Sequence, residues 1–275
     1  MKRLFLFVLL ATAIFSCKKS NENWQQAAAN PEFLRRTQSQ LTESIIHDIF
    51  APPVSSRIYM YSALAAYEAL AAGNTNYQSM VGQLKGFKKV AKPEAGKEYS
   101  YPVAAVRAYL TIGKNLTFAQ EIYVDFEKKL EEDYKATGIP SEVYERSIAF
   151  GDSIAASIMN YSKGDNYKQT RGFRYTVTQK KGTWVPTPPA YIDAAEPYWS
   201  KIRPATLDTS SQFMPPRPYE YDMTKGSKYY DMVMDVYNTI NNLTEEQRNI
   251  ANFWDCNPFK MNITGHAMFA TKKVS

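Results

Sequence analysis

The sequence predicts an all-α protein: a helix bundle interrupted by one long Pro- and aromatic-rich irregular excursion. Three observations predict it. Apolar residues recur at helical spacing from residue 31 to about residue 162, in segments bounded by Pro, Gly or capping residues. No alternation of strand and helix marks a parallel sheet. Gly164 to Pro218 then gathers most of the prolines among Tyr167, Phe173, Tyr175, Trp184, Tyr191, Tyr198, Trp199 and Phe213. A true linker is poor in aromatics, so this stretch reads as an ordered loop wrapped over helices.

The elements follow in order. Met1-Lys2-Arg3 and the apolar run Leu4 to Phe15 have the pattern of a signal peptide over residues 1–16. The run is too short to span a bilayer. Ile14-Phe15-Ser16-Cys17 resembles a bacterial lipoprotein cleavage box, which implies lipidation of Cys17. Residues 17–30 are polar and Ala-rich and read as a tether. A helical domain is expected over residues 31–275.

Its first helix spans Pro31 to Phe50, with Pro52-Pro53 stopping it. Ser55 or Ser56 caps a second, nearly all-round apolar helix to about Ala72, the pattern of a buried central helix. Residues 83–98 read as loop. Further helices are expected at Tyr101–Lys114, Thr117–Lys135 (Phe118, Ile122, Phe126 and Leu130 forming one stripe) and Ser141–Ser162. The excursion leaves room for one short β-hairpin from Tyr175 to Val185 around Lys181-Gly182. Helix returns at Gly226–Asn238 and at Thr244–Asp255, the latter opened by a Thr244/Gln247 capping box. A last short helix is expected at Pro258–Phe269.

Composition narrows function. Apolar residues at 44% and charged residues at 22% describe a globular chain of 275 residues. Mean hydropathy of -0.43 excludes a polytopic membrane protein. The net charge of +6 is spread along the chain, which argues against a nucleic-acid partner. Two Cys and two His exclude disulfide scaffolds and multi-histidine metal sites. With Cys17 acylated, Cys256 packs as a small apolar group. His47, between Ile46 and Ile49, reads as a packed core histidine, whereas His266 follows Gly265 in a more open context. Neither a Walker loop nor a dinucleotide-binding glycine motif occurs.

Two runs and the segment after them carry a resemblance. They are Ala51-Pro52-Pro53-Val54-Ser55-Ser56-Arg57-Ile58-Tyr59, continuing through Ala65-Ala66-Tyr67-Glu68-Ala69-Leu70, and Ile250-Ala251-Asn252-Phe253-Trp254-Asp255-Cys256-Asn257-Pro258-Phe259 with Asn262-Ile263-Thr264-Gly265-His266. They resemble the N-terminal half of Bacteroidetes-type lipoproteins of the vanadium-dependent haloperoxidase and type 2 phosphatidic acid phosphatase superfamily. The resemblance implies an all-helical fold and, for a full-length relative, a vanadate or phosphate pocket built by three motifs: KxxxxxxRP, SGH and SRxxxxxH.

This chain departs from all three. Glu196 and Ser210 stand seven residues before Arg203 and Arg217, where the first motif has Lys. Thr264 stands where the second has Ser. Lys260 and Leu41 stand six residues before His266 and His47, where the third has Arg. No cofactor is therefore expected in this chain. His266 is the sole catalytic candidate, in a supporting role behind the ligands.

Two functions compete. The first is the scaffold half of a haloperoxidase or acid-phosphatase-like lipoprotein, inactive alone and completed by a C-terminal half or companion chain. The second is a binding module of the cell envelope, using Trp184, Tyr191, Tyr198 and Trp199 as surface contacts. Both place the chain on a membrane through Cys17, with the Gram-negative outer membrane as the expected location.

Overall fold

The computed structural model describes residues 23–188 and 191–254. The signal segment, Cys17, Cys256, His266 and the helix expected at 258–269 lie outside them. The chain divides into two compact units. One is built on residues up to Asp48 and on Val54–Gly164, the other on Ile49–Pro53 and the residues from Asp165 onward.

The first unit holds α1 (Trp24–Ala28), α2 (Glu32–His47), α3 (Pro52–Ala71), α4 (Tyr101–Leu116), α5 (Val124–Ala136) and α6 (Ser141–Lys163). The expected helices are present, with informative differences at their ends. Part of the stretch expected as tether is helix: α1 buries Trp24 and Ala28 in the same apolar cluster as Phe33, Leu110 and Tyr134. Pro52-Pro53 opens α3 rather than merely closing the helix before it, because first-turn positions need no backbone N–H.

Residues 117–123 are not part of one continuous helix. A 3₁₀ turn, Gln120–Tyr123, precedes α5, and Phe118 lies outside the expected stripe, 75% exposed. Asp48 sets this geometry. Its carboxylate accepts hydrogen bonds from the N–H groups of Phe118 (2.6 Å) and Ala119 (3.4 Å), which have no helical partners.

The buried centre is α4. Val103, Ala104, Val106, Ala108, Leu110 and Ile112 are among its buried residues, and they surround the helix. It packs against α6 and α2. Close approach depends on Gly151 of α6, where a Cβ would stand 2.6 Å from the Ala104 carbonyl oxygen and 2.8 Å from Arg107 Cβ. Polar ties reinforce the contact. Arg107 grips Asp152 through Nε (2.7 Å) and Nη2 (3.2 Å), and Thr111 donates to the same carboxylate at 3.1 Å. The loop 72–100 folds onto α3 because Glu68, buried on that helix, accepts from Ser79 Oγ (2.7 Å) and Met80 N (2.6 Å).

The second unit is different in kind. It holds the single turn α7 (Tyr167–Thr170), a 3₁₀ turn at Trp199–Lys201, α8 (Lys228–Asn241) and α9 (Glu245–Trp254). Ser227 caps α8 by accepting from Tyr230 N at 3.1 Å. The capping box of α9 forms as expected, with Gln247 N donating to Thr244 Oγ1 (3.2 Å) and Thr244 N to Gln247 Oε1 (3.0 Å). The hairpin from Tyr175 to Val185 is corrected. Its turn exists, with Gly182 at φ +77° and Thr183 N donating to Lys180 O at 3.1 Å, but no strand forms among the described residues. A two-stranded hairpin without a third strand is marginal, and here Tyr221 closes on the turn glycine instead.

Candidate functional site

The excursion is pinned at its ends before it builds a pocket. Arg203 N donates to Asp165 O at 2.9 Å, and Asn166 Nδ2 donates to Lys201 O at 3.0 Å. These bonds return the chain to its start after more than thirty residues. Within the loop they close, a cavity of about 290 Å³ opens, lined by Phe173, Tyr175, Trp184, Asp193, Glu196 and Tyr198 among others.

The ring geometry is that of walls rather than a stack. Phe173 and Tyr198 meet edge to face at 5.3 Å and 89°, Tyr175 and Tyr198 at 6.3 Å and 77°. Tyr175 and Trp184 are tilted by 59° at 6.2 Å. The Tyr198 hydroxyl donates to Arg174 O at 2.6 Å, which fixes that ring. Arg171 Nη1 lies 2.6 Å from the largely buried carboxylate of Glu196. Two of the four expected contact residues, Trp184 and Tyr198, therefore come together. Tyr191 and Trp199 do not join them: Tyr191 points to solvent, and Trp199 packs edge-on against Tyr167 at 6.3 Å. Phe173 and Tyr175 belong to the site although sequence reasoning did not single them out, and their aromatic spacing ahead of Trp184 was the available signal.

A second hollow of about 420 Å³ lies in the first unit, between α4, α5 and α6. Its floor is apolar, with Val103, Leu110 and Leu130, and Arg107 and Glu127 stand on its rim. Burial pushes the Tyr134 phenol beside it far above its ordinary pKa. Burial also works against the Arg107 charge, but the Asp152 hydrogen bond and its charge outweigh that and raise the Arg107 pKa overall.

An oxyanion such as vanadate needs convergent cationic or N–H donors and an imidazole. Four cations among the described residues are already engaged by carboxylates. Arg36 is matched to Asp133, Arg107 to Asp152, Lys114 to Glu127 and Arg171 to Glu196. His47, expected in the core, is exposed at the end of α2. Its Nδ1 lies 3.2 Å from Asp48 Oδ1. The α-helical period breaks at this point, since Ile49 takes φ 54° and is itself exposed. Among the described residues, no group of three or more His, Cys, Asp or Glu is arranged to hold a metal ion. No described helix is long and apolar enough to cross a membrane.

No protein-family model matches the chain, and no curated protein matches it. Among solved structures, it is similar to a bacterial vanadium-dependent iodoperoxidase, at 39% sequence identity and a TM-score of 0.78. The match covers 83% of this chain and 56% of that protein, so the chain spans little more than half the length of its structural neighbour. Shared in both backbone and sequence, this likeness supports the vanadium haloperoxidase superfamily for the chain.

Proposed function

We propose that this chain is the scaffold part of a haloperoxidase or acid-phosphatase-like lipoprotein, anchored to the cell envelope through Cys17. In this reading the oxyanion-binding residues come from a further segment or a companion chain. The iodoperoxidase to which the chain is similar is vanadium-dependent.

The observation that carries the reading is the exposed apolar stripe of α8 among the described residues of the second unit. α8 and α9 bury no residue. Met232, Val236 and Ile240 recur every four residues along α8, all exposed, and Ile250 is exposed on α9. Amphipathic helices of this kind are stable when their apolar face meets another element. The part of the iodoperoxidase that this chain does not match is the natural source of that element.

The test is peroxide-dependent iodide and bromide oxidation by the purified chain in the presence of vanadate, with phosphatase activity measured beside it. The expected result is neither activity. Vanadate-dependent halide oxidation by this chain alone overturns the proposal. Lipidation is read separately: radiolabelled palmitate is incorporated into the wild type and lost in Cys17→Ser.

A further inference from the structure

We propose that the cavity walled by Phe173, Tyr175, Trp184 and Tyr198 binds a quaternary ammonium group, with Asp193 as its counter-ion. This inference stands on the pocket alone and does not depend on the scaffold reading.

Charge is the first argument. The lining contains Arg171 and two carboxylates, Asp193 and Glu196, and the Lys201 ammonium stands over the Phe173 and Tyr198 rings. Arg171 and Glu196 satisfy each other at 2.6 Å. Asp193 is an exposed carboxylate in the lining of the aromatic cavity, outside that pair.

The rings are the second argument. An aromatic face is negative and attracts a cation within about 6 Å of its centroid. These faces already do so: Lys201 Nζ lies 5.1 Å from the centroids of both Phe173 and Tyr198. Tyr175 and Trp184 carry no such internal cation, and they are the two rings left half-open to solvent, at 44% and 47% exposure.

Shape is the third. Edge-to-face and tilted rings enclose a volume, whereas stacked rings would close it. At about 290 Å³ the cavity lies at the small end of ligand pockets, suited to a compact head group. A fully methylated ammonium has no N–H to satisfy, so ring faces and one carboxylate are sufficient partners for it.

The same head group occurs free in solution and on lipids, and the experiment separates the two. The purified full-length chain is titrated with tetramethylammonium chloride and with choline, following tryptophan emission against sodium chloride at equal ionic strength. Trp184→Phe assigns the signal. We expect a saturable response to both ammonium compounds and none to sodium. Asp193→Asn should weaken binding about threefold to tenfold. Trp184→Ala should weaken it about tenfold. Asp193→Glu should restore most of the loss. Asp193 is exposed, so its variants are expected to melt with the wild type, which keeps the comparison interpretable. Co-sedimentation of the Cys17→Ser protein with phosphatidylcholine vesicles, but not with phosphatidylglycerol vesicles, assigns the lipid head group as source. Saturation by choline without co-sedimentation assigns a free ligand. A response equal to that of sodium, an unchanged affinity in Asp193→Asn, or preferred binding of a neutral pyranose overturns the proposal.

Discussion

The two units of this chain use the same helical grammar to opposite ends. From Trp24 to Gly164, helices bury Ile58, Val103, Ile112, Ile154 and Ile158 almost completely. From Asp165 to Trp254, only Asp165 and Thr170 are buried among the described residues. Yet α8 and α9 are as well capped as any helix in the first unit, and they carry as clear an apolar stripe. Local signals thus set where a helix begins and ends, while burial depends on what lies against it. The first unit provides that opposing surface from its own sequence. Among the described residues of the second, α8 and α9 bury none of theirs.

The largest expected effect tests that contrast directly. Ile158 of α6 is fully buried, so Ile158→Ala should cost about 2–5 kcal/mol in urea unfolding. Ile240 of α8 is mostly exposed, so Ile240→Ala should stay within about 0.5 kcal/mol. An Ile240→Ala loss equal to that of Ile158→Ala would mean that α8 packs in solution, and the comparison would break.

How much of this was legible in the sequence follows the same division. The Thr244/Gln247 capping box was readable because its four groups lie within one turn. The turn at Gly182 was readable because its positive φ suits glycine. The pairing of strands around it was not, because a ladder needs neighbours that local sequence does not specify. Trp24 read as tether because its segment is polar, and only the cluster with Phe33 and Tyr134 reveals its burial. His47 read as core because Ile46 and Ile49 flank it. The helix ends at His47 itself, so the period that placed it inside does not continue. In the pocket, Trp184 and Tyr198 were visible as aromatics in an ordered loop. The pairing of Arg171 with Glu196 spans 25 positions and left no local trace.

A smaller effect concerns backbone approach. Gly151→Ala puts a methyl against a carbonyl oxygen of α4, which is not free to yield, and should cost about 1–3 kcal/mol. Gly172, in the second unit, offers a sharper control than another core position. A Cβ there meets only the Gln169 carbonyl oxygen at an ordinary 3.5 Å. Gly172→Ala should therefore be neutral, or stabilise by about 0.4–1 kcal/mol through the unfolded chain. Equal melting temperatures for the two variants would remove close packing as the distinction between the units.

The smallest effect is electrostatic and belongs to the first unit alone. Asp133 on α5 lies 2.8 Å from Arg36 on α2 and 2.9 Å from Lys129. The hydrogen bond from Lys129, followed by that from Arg36, holds its carboxyl below the ordinary aspartate range. A depressed folded-state pKa favours the ionised form. The unfolded chain therefore binds the proton first as pH falls. The contribution is present in full above the unfolded value of about 4 and disappears as pH drops through the lower folded value. The group is partly solvated, so Asp133→Asn should cost less than about 1 kcal/mol at pH 7. The stability difference between wild type and Asp133→Asn should then shrink as the solution is acidified below about pH 4. A difference that stays constant from neutral pH into that range would show that Asp133 acts through packing rather than charge. The tie between α2 and α5 would then be apolar, resting on contacts such as Phe33 stacked on Tyr134 at 4.1 Å.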